Sequence, residues 1–216
     1  MSPKFRTVIL DVDSTVAGIE GIDWLAERRG PETATKIAQL TDEAMRGLIP
    51  LENVYGARLD AIRPTRADID ELSEAYIAMI APGCGDAVHR MMQAGVRVVL
   101  VSGGLKQAIE PLALRLGIAT FDLNAVDIHF DANGNYRDFD RTSPLTTSSG
   151  KPIVVECLAA HRPILAVGDG ATDVAMRSAV DSFAAFIGFA RRENVVAQAD
   201  VVLDSFVRLA TLVLGS

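Results

Sequence analysis

Apolar and polar positions fall into blocks along this chain, and the spacing within each block differs. Residues 7–13, TVILDVD, form a β-branched apolar run that predicts a buried strand closed by two carboxylates. From about residue 20 to residue 80 apolar positions recur at helical spacing, in GIDWLAERRG, PETATKIAQLTDEAMRG, LENVYGARLDAI and TRADIDELSEAYIAMI. Gly30 and Gly47 stand where C-caps are expected, and Thr65 with Asp68 predicts a capping box after Pro64. After APGCG the rhythm changes to a predicted helix over 85–94, a strand over 96–101, an SGG turn and a helix over 105–116. Asn133-Gly134 between alternating residues predicts a hairpin. The α/β rhythm then resumes with a helix opened by Lys151, a strand at PILAVGDG, a helix from Ala171, strands at SFAAFIG and ADVVL, and a last helix.

Strands and helices taking turns predict an α/β fold: a doubly wound, mostly parallel sheet of the Rossmann-like kind, with a helical cap domain inserted after the first strand. The expected division is a core of residues 1–16 and 81–216 and a cap of residues 17–80. Ligands of such sheets bind at the carboxyl ends of the strands. The polar residues that stand out fall at those ends: Asp11 and Asp13 after the first strand, Ser102 after VVLV, and Asp169 after ILAVG.

Composition narrows the function classes. The 216 residues are enough to bury a sizeable core, and 49% hydrophobic with 23% charged residues excludes a disordered chain. The net charge of −7, without a basic patch carrying interleaved aromatics, argues against nucleic-acid and anionic-membrane partners. Cys84 and Cys157 lack metal-site spacing and read as buried free thiols. The N-terminal segment reaches acidic residues too early for a signal peptide, and a cytoplasmic location is expected.

Asp11, Asp13, Asp169 and Asp173 in one crevice would repel one another unless a cation binds or protons are retained. All are hard oxygen donors with no His or Cys near the motifs, so Mg²⁺ is the expected ion. Ser102, Gly103 and Gly104 offer a hydroxyl and accessible N–H groups to phosphate oxygens, and Lys151 a cation to the same anion. A phosphate held there would lie against Asp11, whose carboxylate can attack phosphorus and form an aspartyl-phosphate. Asp13 would protonate the leaving alcohol and then activate water. Taken singly, the SGG turn, Lys151, Asp169 and Asp173 have ordinary readings as turn and cap residues, whereas neighbouring carboxylates at a buried strand end have no structural merit.

In order and spacing, DVDST, SGG, the Lys151 site and GDGATD resemble the four motifs of the haloacid dehalogenase superfamily of phosphatases. Within it the chain is most similar to the phosphoserine phosphatases, through Asp11 to Thr15, Glu20, the run Glu43-Ala44-Met45 and Arg58. The resemblance implies hydrolysis of O-phosphoserine with Asp11 as nucleophile and Asp13 as acid/base. It further implies Mg²⁺ held by Asp11, the Asp13 carbonyl and Asp169, with Asp173 behind them. Glu20 would meet the substrate ammonium and Arg58 its carboxylate, in a pocket also lined by Met45, Leu51, Ser102, Gly103 and Thr172. Thr172, Leu51 and Leu105 depart from the family pattern, which stands at asparagine, phenylalanine and an aromatic residue there. Hydrolysis of, or phosphotransfer from, another small phosphomonoester, such as phosphohomoserine, a sugar phosphate or phosphocholine, is the alternative. The partner expected is a small phosphorylated metabolite, and the chain is expected to be a monomer or homodimer. A phospho-accepting receiver module shares the acidic Mg²⁺ site, but has no use for a long helical insertion or for Asp13.

Overall fold

The computed structural model describes residues 3–215. Its main sheet has six parallel strands in the order β3-β2-β1-β6-β7-β8. They are β1 (Thr7–Leu10), β2 (Arg97–Leu105), β3 (Leu123–Val126), β6 (Ile164–Gly168), β7 (Ser182–Phe186) and β8 (Val201–Leu203). A separate antiparallel hairpin, β4 (Ile128–Phe130) and β5 (Tyr136–Phe139), turns at Gly134 with φ +81°, the left-handed conformation glycine adopts without penalty. Every residue of β1 and β6 is buried, as expected of parallel strands covered on both faces.

Four helices, α1 (Gly21–Glu27), α2 (Pro31–Met45), α3 (Tyr55–Ile62) and α4 (Arg66–Ala78), follow β1 in the chain and form the insertion. The remainder, α5 (Cys84–Gln93), α6 (Lys106–Arg115), α7 (Gly150–Cys157), α8 (Ala171–Ala175), α9 (Glu193–Val196) and α10 (Phe206–Leu214), accompany the sheet. The chain leaves and re-enters the sheet region through one seam. Gly18 N–H donates to Met79 O at 2.9 Å, Ala81 N–H donates to Val16 O at 2.8 Å, and Ala17 bridges Ile80. The capping box is present, with Asp68 N–H donating to the Thr65 hydroxyl and the Asp68 carboxylate accepting from Thr65 N–H.

Register decides where the chemistry lies. Leu10 pairs with Leu100 on one side and Val167 on the other, so the three central strands run level at their carboxyl ends. Asp11, the segment after Val101 and Asp169 therefore emerge side by side. The apolar core is continuous: Val8 and Ile9 of the sheet belong to one cluster with Leu25, Leu59 and Leu72 of the first four helices.

Four details differ from the sequence reading. β1 ends at Leu10, and Asp11 to Thr15 form a turn in which Ser14 has φ +50°, where the strand was expected to run on to Asp13. β2 continues through Ser102-Gly103-Gly104 to Leu105 with a break in register after Val101, where a simple turn was expected. Edge strand β3 and the short α9 were not anticipated, because neither segment carries more than a few residues of periodic pattern. Cys84 is buried as expected, but Cys157 at the end of α7 is exposed, because it lies on the face of that helix turned from the sheet. Among the described residues no helix is long and apolar enough to cross a membrane.

Candidate functional site

A cleft of about 570 Å³, open mouth included, lies between the carboxyl ends of the central strands and the four inserted helices. Asp11, Asp13, Lys151 and Asp169 line its floor, and Met45, Leu51, Tyr55 and Arg58 its roof. Glu20, Gly103 and Thr172 also reach it. Ser102 does not. Its side chain is fully buried below the cleft and its Oγ accepts the Gly104 N–H at 2.9 Å. The hydroxyl thus shapes the SGG segment from beneath, while Gly103 and Gly104 present their backbone to the cavity.

Lys151 is the hub of the floor. Its Nζ lies 2.7 Å from Asp11 Oδ1 and 2.5 Å from Asp173 Oδ1, and all three side chains are at least nine-tenths buried. Burial alone would lower the lysine pKa, but the two carboxylates outweigh it and hold the ammonium charged. Lys151 sits at the start of α7 because Gly150 permits a tight approach: a Cβ there would stand 1.6 Å from the Pro144 carbonyl oxygen. Asp173 is satisfied on both oxygens, since Oδ2 accepts N–H groups from Asp169 at 3.1 Å and Gly170 at 2.9 Å. Among the described residues Asp11 has no neutral donor comparable to these, and burial, then Asp173, push its carboxyl well above the usual range against the pull of Lys151.

Carboxylate oxygens of Asp11, Asp169 and Asp173 lie within 4.8 Å of one another. This buried all-oxygen set fits a hard divalent cation. Asp173 is engaged on both oxygens by Lys151 and two backbone N–H groups, and Asp169 on both by Thr15 and Arg192, whereas Asp11 meets Lys151 alone among the described residues.

Asp13 is held differently. Its Oδ1 accepts the Tyr76 hydroxyl at 2.7 Å and the Gly21 N–H at 2.8 Å. Burial raises its pKa and these two bonds oppose the rise. Glu20 accepts the Ser14 hydroxyl at 2.7 Å, and burial together with the nearby Asp13 raises its pKa to about 7. In the roof Arg58 is 3% exposed, and one Nη donates to Thr41 Oγ at 2.8 Å while Thr41 donates to Asp23 at 2.5 Å. The Arg58 Nε is buried and has no partner among the described residues, which leaves one donor unused.

Each residue expected at the site, Ser102 apart, lies in the cleft or directly against it. Tyr55 of the roof was not anticipated, nor were two residues that hold the carboxylates of the site. Arg192, just before α9, donates to the Asp169 carboxylate and approaches Glu20 at 3.8 Å. Its position after β7, at another strand carboxyl end, was the available signal. Tyr76 reads in the sequence as one more member of the buried face of α4, and its hydroxyl target 63 residues away gave no local sign.

The sequence profile of the haloacid dehalogenase-like hydrolases matches residues 8–178. Phosphoserine phosphatase of Bos taurus is 36% identical over 205 residues, which cover 94% of this chain and 90% of the bovine protein. The chloroplastic phosphoserine phosphatase of Arabidopsis thaliana is 34% identical over 206 residues, 93% of this chain and 69% of the plant protein. A phosphoserine phosphohydrolase-like protein from Francisella tularensis superposes with a TM-score of 0.88 at 25% identity, covering 96% of this chain and 99% of that one.

Replacing Lys151 by Met leaves the Asp11 and Asp173 carboxylates buried without their cation, and is expected to lower stability at pH 8 by about 3 kcal/mol or more. Above the raised pKa of Asp11 the folded chain must hold an anion that the unfolded chain solvates freely; below it the group is protonated in the folded chain and the cost disappears. The deficit should therefore shrink as pH falls toward 5, which urea unfolding of both proteins across that range measures.

Proposed function

The chain belongs to the haloacid dehalogenase-like hydrolases, and on that premise we propose that it hydrolyses O-phosphoserine to serine and phosphate through a phosphate ester on Asp11. The observation that carries this reading is the unequal treatment of two neighbouring carboxylates. Asp11 is paired with a cation that can also neutralise an incoming phosphate, while Asp13 is fixed by neutral donors. Environments that separate two acids in this way assign them different roles.

Asp11 is the nucleophile in this reading. Lys151 holds its unattacking oxygen and draws phosphate oxygens toward it, and the backbone of Gly103 and Gly104 offers donors to the same group. Asp13 gives a proton to the departing serine oxygen, then takes one from the water that attacks the phosphorylated Asp11. We assign Mg²⁺ to Asp11, the Asp13 carbonyl and Asp169, with Asp173 supporting Lys151 from behind. When bound, the ion supplies charge stabilisation to the transferring phosphoryl group.

Residues 17–80 serve as a cap in this account. Arg58 carries the spare Nε that a carboxylate would occupy, and Glu20 provides the anion for an ammonium. Met45, Leu51 and Thr172 enclose the short carbon chain between these groups. Closing the cap keeps bulk water from the phosphorylated aspartate.

The direct test is steady-state hydrolysis of a panel of phosphorylated metabolites with Mg²⁺. Phosphoserine should give the highest kcat/KM, and Asp11→Asn should abolish turnover while leaving the fold intact. Preference for phosphohomoserine, a sugar phosphate or phosphocholine would replace the substrate but keep the chemistry.

Arg58→Ala should lower kcat/KM for phosphoserine by about ten- to a hundredfold, the cost of a lost charge-assisted hydrogen bond. Hydrolysis of 4-nitrophenyl phosphate, which has no carboxylate, should stay nearly unchanged.

Because Glu20 titrates near pH 7, its anion fills as pH rises through neutrality. KM for phosphoserine should accordingly fall between pH 6 and pH 8. KM for the aryl phosphate, which shares the phosphate ionisation but has no ammonium, should not show that component, and Glu20→Gln should remove it.

A further inference from the structure

We propose that Tyr76 is a positioning residue for the acid/base carboxylate: with the Gly21 N–H it holds Asp13 Oδ1 as an acceptor and leaves Oδ2 to carry the exchanged proton. The inference rests on the reading of Asp13 given under Proposed function. Two donors on one oxygen and, among the described residues, none on the other make the carboxylate asymmetric. A proton on Oδ1 would have to compete with the Gly21 N–H, which can only donate, so the proton resides on Oδ2. Space is kept for Oδ2 by Gly104, where a Cβ would stand 3.0 Å from it.

Packing does not explain the hydroxyl. Tyr76 is fully buried on the core-facing side of α4, a place that phenylalanine would fill equally well. Its oxygen instead occupies a notch made by the absent side chain of Gly21, whose Cβ would stand 2.0 Å from it. Tyrosine at 76 and glycine at 21 are thus two halves of one device.

The consequence for the reaction is specific to the proton. In the first half an Asp11 oxygen bonds to phosphorus, the ester P–O bond breaks, and its electron pair goes to the serine oxygen, which takes the proton from Asp13 Oδ2. In the second half a water oxygen bonds to phosphorus, the Asp11–phosphorus bond breaks with its pair returning to Asp11, and Oδ2 takes a proton from that water. A carboxylate free to rotate would present the wrong oxygen for part of the time.

The test compares Tyr76→Phe with the unaltered protein on two substrates, with 4-nitrophenyl phosphate as the probe of the separate steps. Nitrophenolate leaves without help from an acid, so phosphorylation of Asp11 should stay fast in the variant. It should give a burst near one nitrophenol per site, followed by turnover slowed about ten- to a hundredfold, with a parallel fall in kcat for phosphoserine and KM within about twofold. An unchanged kcat for phosphoserine would overturn the proposal. So would an equal loss of burst rate and turnover, the mark of a merely structural role. Gly21→Ala pushes the hydroxyl from its notch and should reproduce the slow second step, a result that decides the matter if Tyr76→Phe does not fold. Asp13→Asn is the control for the underlying reading: if it turns over normally, Asp13 is not the acid/base. If it is inactive while Tyr76→Phe and Gly21→Ala are unimpaired, only the role of Tyr76 is lost.

Discussion

Four aspartates and a glutamate converge where β1 and β6 end, and each buried carboxylate must be supplied with positive charge or hydrogen-bond donors. The structure answers each one separately. Lys151 serves Asp11 and Asp173 together, two backbone N–H groups complete Asp173, and Arg192 and the Thr15 hydroxyl reach Asp169. Neutral donors serve the remaining pair, Tyr76 and Gly21 at Asp13 and Ser14 at Glu20. These partners come from opposite ends of the chain, so the requirement to balance this cluster ties the inserted helices, the central strands and the segment after β7 to one geometry.

The insertion depends on the same balance. Tyr76 donates to Asp13 from α4, and Tyr55 donates to the Gly103 carbonyl at 2.8 Å from α3. Both are fully buried tyrosines on inserted helices, one bonded to the turn after β1 and the other to the irregular carboxyl-terminal stretch of β2. The apolar cluster that runs from the sheet into these helices brings them together without direction, whereas the two hydroxyls impose one arrangement.

Much of this was legible in the sequence because strand ends and helix caps are local signals. The alternation of elements after residue 81, the Thr65 capping box, the Gly134 hairpin and the placing of Asp11, Asp169 and Lys151 all depend on residues close together in the chain. Less legible were features made by distant pairing. Ser102 looked like an open ligand because its hydroxyl was visible in the sequence and its bond to Gly104 was not. Edge strand β3 is defined by its partner β2 more than by its own pattern. Arg192 stands in a segment whose only regular element is a single helical turn.

Strand order also bears on how the chain can be made. β1 is first in sequence yet central in space, with β2 on one edge and β6 on the other. During synthesis its pairing with β2 becomes available once about a hundred residues have emerged, but its second edge waits for residues 164–168. Throughout that interval Lys151 and Arg192 are also missing or unplaced, so Asp11 and Asp13 stand beside an open strand edge as hydrated, ionised groups. Charges at an exposed edge discourage pairing with another chain. The carboxylates that the folded site must neutralise thus place charge next to that open edge until β6 arrives.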